Sequence, residues 1–288
     1  MKGYNTLRLM SHNVWNFDTN SSQWAERGED CSAKARVGAL VRVYKELLPD
    51  VIGGQEVSAL MADLLKEELQ KEGINYTLIW GRFTPILYRS DKLELIESEF
   101  FTYPDTIQGY AGQFNDVRSK AWNLAVFRVK DSGKLFIFVT THLWWMREPT
   151  DDSQTSGYKV GSNEARAQQI AMAVDAIQRY IEKYNCPAVL VGDMNCDYNS
   201  KAMKYVRSNG FRHAHDVATE YAEEAVGYHY CFADGYKTQY DNRPFETAID
   251  HIYVIGEKDG AVKRFERYSP DYYYPISDHS PAFVDVEF

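Results

Sequence analysis

One short stretch limits what this chain can fold into: Pro187-Ala-Val-Leu-Val-Gly-Asp-Met-Asn195. Ala188 to Val191 form an apolar run of strand length, the pattern of a strand buried on both faces. Gly192 lets the backbone turn or come close to a neighbour. Asp193 and Asn195 are separated by one residue, so on an extended chain their side chains leave the same face. A buried strand that ends on a carboxylate and an amide has two readings. It closes in an ordinary Asp-x-Asn turn, or it presents groups that position a water or a metal-bound phosphate.

Read in order, the rest of the chain repeats this design. Leu7-Arg-Leu-Met-Ser-His-Asn13 alternates as a first strand and ends on Asn13. A helix begins near Ser32, with Val37, Leu40, Val41, Tyr44, Leu47 and Leu48 as its apolar stripe, and Pro49 stops it. Asp50 to Glu56 reads as a second buried strand. Ser58 caps a second helix that closes at Gly73. Short β segments follow at Tyr76–Trp80, Pro85–Tyr88 and Leu93–Phe101. Ala121–Val129 and Leu135–Thr141 then flank an Asp131-Ser-Gly133 hairpin signal, with His142 at the end. A polar loop, Leu143 to Gly161, carries Trp144, Trp145 and Arg147 and leads to a helix from about Ser162 to Lys183. A short helix ends at Asn209-Gly210, and Tyr221 to Phe245 is aromatic and irregular. Ala248–Ile255 and Ala282–Phe288 are the remaining strands. Helices alternate with strands early, and hairpin-like strands finish the chain. Such a mixture predicts an α+β fold with two packed sheets and helices outside. No linker divides residues 1–288, so one domain is expected.

Composition narrows the function classes. With 288 residues, 44% of them hydrophobic, the chain is long enough to bury two sheet layers. Its apolar segments are strand-sized, which predicts no transmembrane helix, and the opening residues lack the apolar core of a signal peptide. A net charge of −9 argues against a broad basic groove for nucleic acid, though not against a local basic patch. Cys31, Cys186, Cys196 and Cys231 show no C-x-x-C spacing, so a zinc knot is not expected and disulfide pairing stays open.

Polar residues recur where buried strands meet loops: Asn13, Glu56, His142, Asp193 with Asn195, Asp250, and Asp278-His279. Scaffolds commonly hold reactive groups at such positions. Each has a plain alternative, a turn residue for Asn13 or a satisfied core histidine for His142, but the series has none. His12-Asn13, Gln55-Glu56, Thr141-His142-Leu143, Gly192-Asp193-Met194-Asn195, Ile249-Asp250-His251-Ile252 and Ser277-Asp278-His279-Ser280-Pro281 come in a recognisable order. Together they resemble the motifs of the endonuclease/exonuclease/phosphatase superfamily, over nearly the whole chain. Between Tyr76 and Asn115, where members place substrate contacts, nothing aligns.

The resemblance implies a four-layer α/β/β/α sandwich of two mixed sheets, and hydrolysis of a phosphate ester with a divalent cation. Mg²⁺ suits a carboxylate and amide set best, with Mn²⁺ or Ca²⁺ as alternatives. By motif, Glu56 is the main metal ligand, helped by Asn13 and Asp278. Asp193 orients or deprotonates the water, and Asn195 holds a phosphate oxygen. His142 and His279 contact the phosphate, and Asp250 orients His279. His251 points opposite Asp250 on an extended strand and reads as structural. Arg166, Trp144 and Trp145 are candidates for substrate contact, each with a structural alternative. The expected partner is a phosphate ester, diester or monoester, acted on by a monomer. A nuclease acting on DNA or RNA is the second reading, and a catalytically silent binding module on the same fold is the third.

Overall fold

Neighbouring side chains on the buried strands feed different apolar layers, and this builds the fold. The computed structural model describes residues 6–26, 28–221, 248–268, 270, 272 and 276–288. In chain order the elements are β1 (Thr6–Asn13), α1 (Ser22–Ala25), α2 (Ala33–Leu47), β2 (Val51–Gln55), α3 (Ala59–Lys71), β3 (Thr77–Ile79), β4 (Ile86–Tyr88) and β5 (Leu93–Thr102). Then come β6 (Ala121–Val129), β7 (Leu135–His142), α4 (Ser162–Tyr184), β8 (Ala188–Asp193), α5 (Lys201–Ser208), β9 (Arg212–His213), α6 (Ala214–Val217) and β10 (Glu220–Tyr221). The last strands are β11 (Asp250–Ile255), β12 (Val262–Arg267) and β13 (Ala282–Glu287).

Two mixed sheets result, ordered β10-β12-β13-β1-β2-β4-β3 and β5-β6-β7-β8-β11-β9. Leu7 and Leu9 of β1, Phe136 and Phe138 of β7, and Val189 and Val191 of β8 meet between the sheets. Ala188 and Leu190 face the other way, against Ile170, Val174 and Ile177 of α4. Met10 and Ile52 pack outward on Val37, Leu40 and Val41 of α2 and Leu65 of α3. The layers are therefore helix, sheet, sheet, helix, as the sequence predicts. Ser32, Ser58 and Ser200 cap α2, α3 and α5, each hydroxyl accepting from a backbone N–H of the first turn.

One strand departs from the expected order. β12 was not expected. The β12–β13 register slips between Val262 and Arg264, so its buried Val262 and Phe265 fall three residues apart and break the alternation. Cys31, Cys186 and Cys196 are buried thiols, not disulfides, while Cys231 and most of the aromatic stretch lie outside the described residues. Among the described residues, no helix is long and apolar enough to cross a membrane.

Candidate active site

Register delivers the strand-end residues to one edge. Parallel pairing of β1 with β2 sets Asn13 beside Gln55, so Glu56 follows at once. Parallel pairing of β7 with β8 sets His142 opposite Asp193, and antiparallel β11 sets Asp250 opposite the same aspartate. Gly192 is required for this. A Cβ there would lie 2.1 Å from the Thr141 carbonyl oxygen, a backbone atom held in the same ladder. The Asp278-His279 turn is tied down by Ser277, whose Oγ donates to the Asn13 carbonyl at 2.7 Å and accepts from the His279 N–H at 3.2 Å. Buried Arg36 fastens the surrounding loops by donating to the carbonyls of Cys31, Val14, Ile276, Trp15 and Phe17.

The side chains form one network. Asp193 Oδ2 accepts from Asn13 Nδ2 at 3.0 Å, and its Oδ1 accepts from the Asn195 N–H at 2.9 Å. It stands 3.4 Å from His142 Nε2 and 3.8 Å from His279 Nε2. His279 Nδ1 is 2.7 Å from Asp250 Oδ2, an ion pair that fixes the imidazole's orientation. Glu56 takes a left-handed backbone (φ 58°) and accepts from the Asn16 N–H at 2.9 Å and from Asn13 Nδ2 at 3.3 Å. Asn13 thus turns its amide donor toward both carboxylates, while its Oδ1 accepts from the Trp15 N–H at 3.0 Å. Asn195 gives one amide hydrogen to the Leu143 carbonyl at 3.1 Å.

Burial sets the charges. It pushes the Asp193 carboxyl up to about 6, against the pull of His279. It pushes Asp278 up to about 7, again opposed by His279 and reinforced by Glu56. Burial alone would lower His279, but Asp250, Asp193 and Asp278 outweigh it and hold the imidazole well above its usual value, so it is cationic near neutral pH. His142 goes the other way. Burial, then Lys120 and His279, keep it well below the usual histidine range and therefore neutral.

Lys120 is the residue the sequence reading missed. It is buried at the cleft, and its Nζ lies 2.7 Å from His142 Nε2. Asn115 fixes its backbone by accepting from the Lys120 N–H at 2.9 Å and donating to the Lys120 carbonyl at 3.0 Å. A lysine opening a strand carries no motif of its own. The available signal was its place immediately ahead of the Ala121-Trp122 strand start.

Two candidates for substrate contact lie beneath the loop, in keeping with their structural alternative. Trp144 is 1% exposed, packed edge-on against Phe114, with its Nε1 donating to Ser162 Oγ at 3.1 Å. Arg166 is buried beneath the loop and donates to the carbonyls of Trp144 (3.1 Å) and Met146 (2.6 Å). Neither lines the cleft, because the loop needs both to satisfy its own backbone and close its underside. Trp145 does line it, is 43% exposed, and donates from Nε1 to Asp116. The pair makes a clean prediction. Trp144→Ala should cost about 3–5 kcal/mol and lower Tm by roughly 6–15 °C. Trp145→Ala should leave Tm nearly unchanged and raise KM. Calorimetry and steady-state kinetics check both, and equal melting losses would mean that both tryptophans are structural.

The cleft encloses about 660 Å³ and is walled by Glu56, Lys120, His142, Asp193, Asn195, Asp278 and His279, with Phe83, Trp145, Arg147 and Tyr158 around its mouth. The residues fit a divalent cation. Ligand atoms of Glu56, His142 and Asp193 lie within 4.8 Å of one another, and buried Asp278 Oδ1 has no hydrogen-bond partner. A buried carboxylate oxygen left in that state fits one that awaits a cation. The surrounding donors are mainly hard oxygens, which suits Mg²⁺, Mn²⁺ or Ca²⁺.

Comparisons with known proteins agree with the geometry. By fold, the chain is similar to an endonuclease/exonuclease/phosphatase family protein from Bacteroides thetaiotaomicron, at TM-score 0.73 and 21% identity over 98% of this chain and 97% of that one. It is similar to the mannosyl-6-phosphatase of the same organism, at TM-score 0.70 and 22% identity over 98% and 100%. A truncated Caenorhabditis elegans TDP2 gives TM-score 0.64 and 16% identity over 100% and 99%. No curated protein matches the sequence at a significant level. At these identities the structures speak for the fold alone; the sequence model carries the rest. Because the model for the Endonuclease/Exonuclease/phosphatase family matches residues 10–279, the chain belongs to that family and is a hydrolytic enzyme of its phosphoesterase kind.

Proposed function

We propose that this cleft hydrolyses a small phosphate ester by direct attack of water, with a divalent cation, most simply Mg²⁺, as cofactor, and that residues 1–288 act as one domain. The observation that carries the reading is Asp193 between two imidazoles of opposite state, neutral His142 at 3.4 Å and cationic His279 at 3.8 Å. Glu56 and Asp278 would hold the cation, which when bound neutralises phosphate charge. Asn13, donating to Glu56 and Asp193, keeps the two carboxylates apart and aimed. Asp193 Oδ2 orients the water and takes its proton as the new P–O bond forms. His279 Nε2 faces the phosphate oxygens as charge shifts among them, and Asp250 holds that ring in place. The ester P–O bond breaks with its electron pair on the departing oxygen, which takes up a proton from solvent. This releases an alcohol and phosphate, or a monoester if the substrate is a diester, and Asp193 returns its proton to solvent. Asn195 has one amide hydrogen left to donate to a phosphate oxygen.

A small ester fits better than a polynucleotide. The cleft walls carry Lys120, Arg147 and the imidazolium of His279 as cations against Glu56, Asp116, Asp193 and Asp278. Successive phosphates of a nucleic acid would need a row of rim cations. With Mg²⁺ present, p-nitrophenyl phosphate or its bis-ester should turn over while supercoiled plasmid stays intact. A plasmid nicked readily by a protein that ignores both small esters would establish the nuclease reading instead.

A further inference from the structure

Lys120 is not needed by the chemistry above, yet it sits at the centre of the site. Its side chain is buried, its Nζ lies 2.7 Å from His142 Nε2, and it lines the cleft with Asp193 and His279. Neutral His142 accepts from the ammonium. Among the described residues no carboxylate is in direct contact with the Lys120 ammonium, although Glu56, Asp193 and Asp116 favour its charge from further off, and it has further N–H donors to place. Burial works against that charge, and an ammonium in direct contact with no carboxylate is best tolerated where a ligand brings a closer anion. Asn115, hydrogen-bonded to both the N–H and the carbonyl of Lys120 and to the carbonyl of Tyr103 at 2.7 Å, holds the backbone so that the side chain stays in the wall.

Phosphate esters differ in how many anions they bring. A monoester has a second pKa of about 6, so near neutral pH it carries close to two charges, whereas a diester carries one. In the diester a further oxygen bears carbon, and it offers a cation neither charge nor room. Resting on the phosphoesterase reading, we propose that Lys120 selects phosphomonoesters over phosphodiesters by donating to the terminal oxygen that a diester would have esterified. His279 and the divalent cation serve the charge that both ester classes share. Lys120 serves the one that only the monoester has.

The test compares wild type, Lys120→Met and Lys120→Arg on p-nitrophenyl phosphate and bis(p-nitrophenyl) phosphate, in saturating Mg²⁺, with circular dichroism on each. A hydrogen bond between charged groups is worth about 10- to 100-fold in binding or rate. Lys120→Met should therefore lower the monoester-to-diester ratio of kcat/KM by about that factor, and Lys120→Arg should retain more of it. Inhibition by inorganic phosphate should weaken about 10-fold or more in Lys120→Met, and inhibition by dimethyl phosphate should weaken far less. Should Lys120→Met misfold, Lys120→Gln is read the same way. Equal losses on both esters, or undiminished phosphate inhibition, overturn the selection by Lys120 and leave the phosphoesterase reading standing. A folded wild type inert toward both esters with Mg²⁺, Mn²⁺ and Ca²⁺ overturns both.

Discussion

Asp193→Asn and His279→Ala should each lower kcat on the order of 10²-fold or more while KM changes little. Water at neutral pH is a poor nucleophile, and in the proposed mechanism Asp193 is the buried carboxylate that aims it and accepts its proton. Its Oδ1 is committed to the Asn195 N–H and its Oδ2 to Asn13, so the carboxylate is rigid before substrate arrives. The amide introduced by the first substitution would fill the same space without a basic oxygen. His279 is proposed to work on the phosphate side. Its charge is maintained by three aspartates in spite of burial, and Asp250 fixes the ring at 2.7 Å. Both contacts grow stronger as the transition state forms, so their loss falls on kcat more than on KM. Because the two act on one event, the double variant should lose much less than the product of the single losses. Steady-state kinetics on the three proteins, folded by circular dichroism, decides the matter. Either single variant keeping more than about a tenth of wild-type kcat would place the chemistry on other residues.

The second large effect concerns the cation. Glu56 is only partly buried, yet its carboxylate is held by the Asn16 N–H and Asn13 Nδ2 and its backbone takes a left-handed conformation that a glutamate rarely adopts. Such a residue is held in place for its side chain. Glu56→Gln keeps shape and removes the charge that attracts a divalent ion. Loss of a group that merely orients a ligand weakens metal binding about 10- to 100-fold, and loss of the ligand itself should do at least as much. At low Mg²⁺ the variant should be nearly inactive, and part of its turnover should return at high Mg²⁺. Wild-type turnover by this variant at low Mg²⁺ would remove Glu56 from the metal site.

Much of this site was legible because strand ends are ordered by the sheet. Asn13, His142 and Asp193 close strands, Glu56 follows one and Asp250 opens one, so pairing between strands carries these five to one edge, while His279 stands in the turn just ahead of β13. The loops were less legible. Trp144 and Trp145 are identical neighbours in sequence, and only the packing of Phe114 and Ser162 decides that the first goes inward. Arg166 looked available for substrate until the carbonyls of Trp144 and Met146 claimed it. Lys120 depends on a contact with His142 and a clamp from Asn115, neither of which leaves a periodic trace. Arg36 lies on the helical stripe of α2 and reads as an ordinary surface charge, although it is 2% exposed and holds five carbonyls. Periodicity reports faces and ends. It is silent on which polar atom closes a distant loop.

In the proposed mechanism a divalent cation bound in this cleft supports turnover. Mn²⁺ binding to the chelator-stripped protein, followed by electron paramagnetic resonance, and hydrolysis of p-nitrophenyl phosphate should be measured across one metal titration. Activity should be absent without metal, and occupancy and rate should rise together with a common midpoint. Full turnover by the stripped protein in excess EDTA would contradict the account, as would tight binding of Mn²⁺ that leaves the rate unchanged.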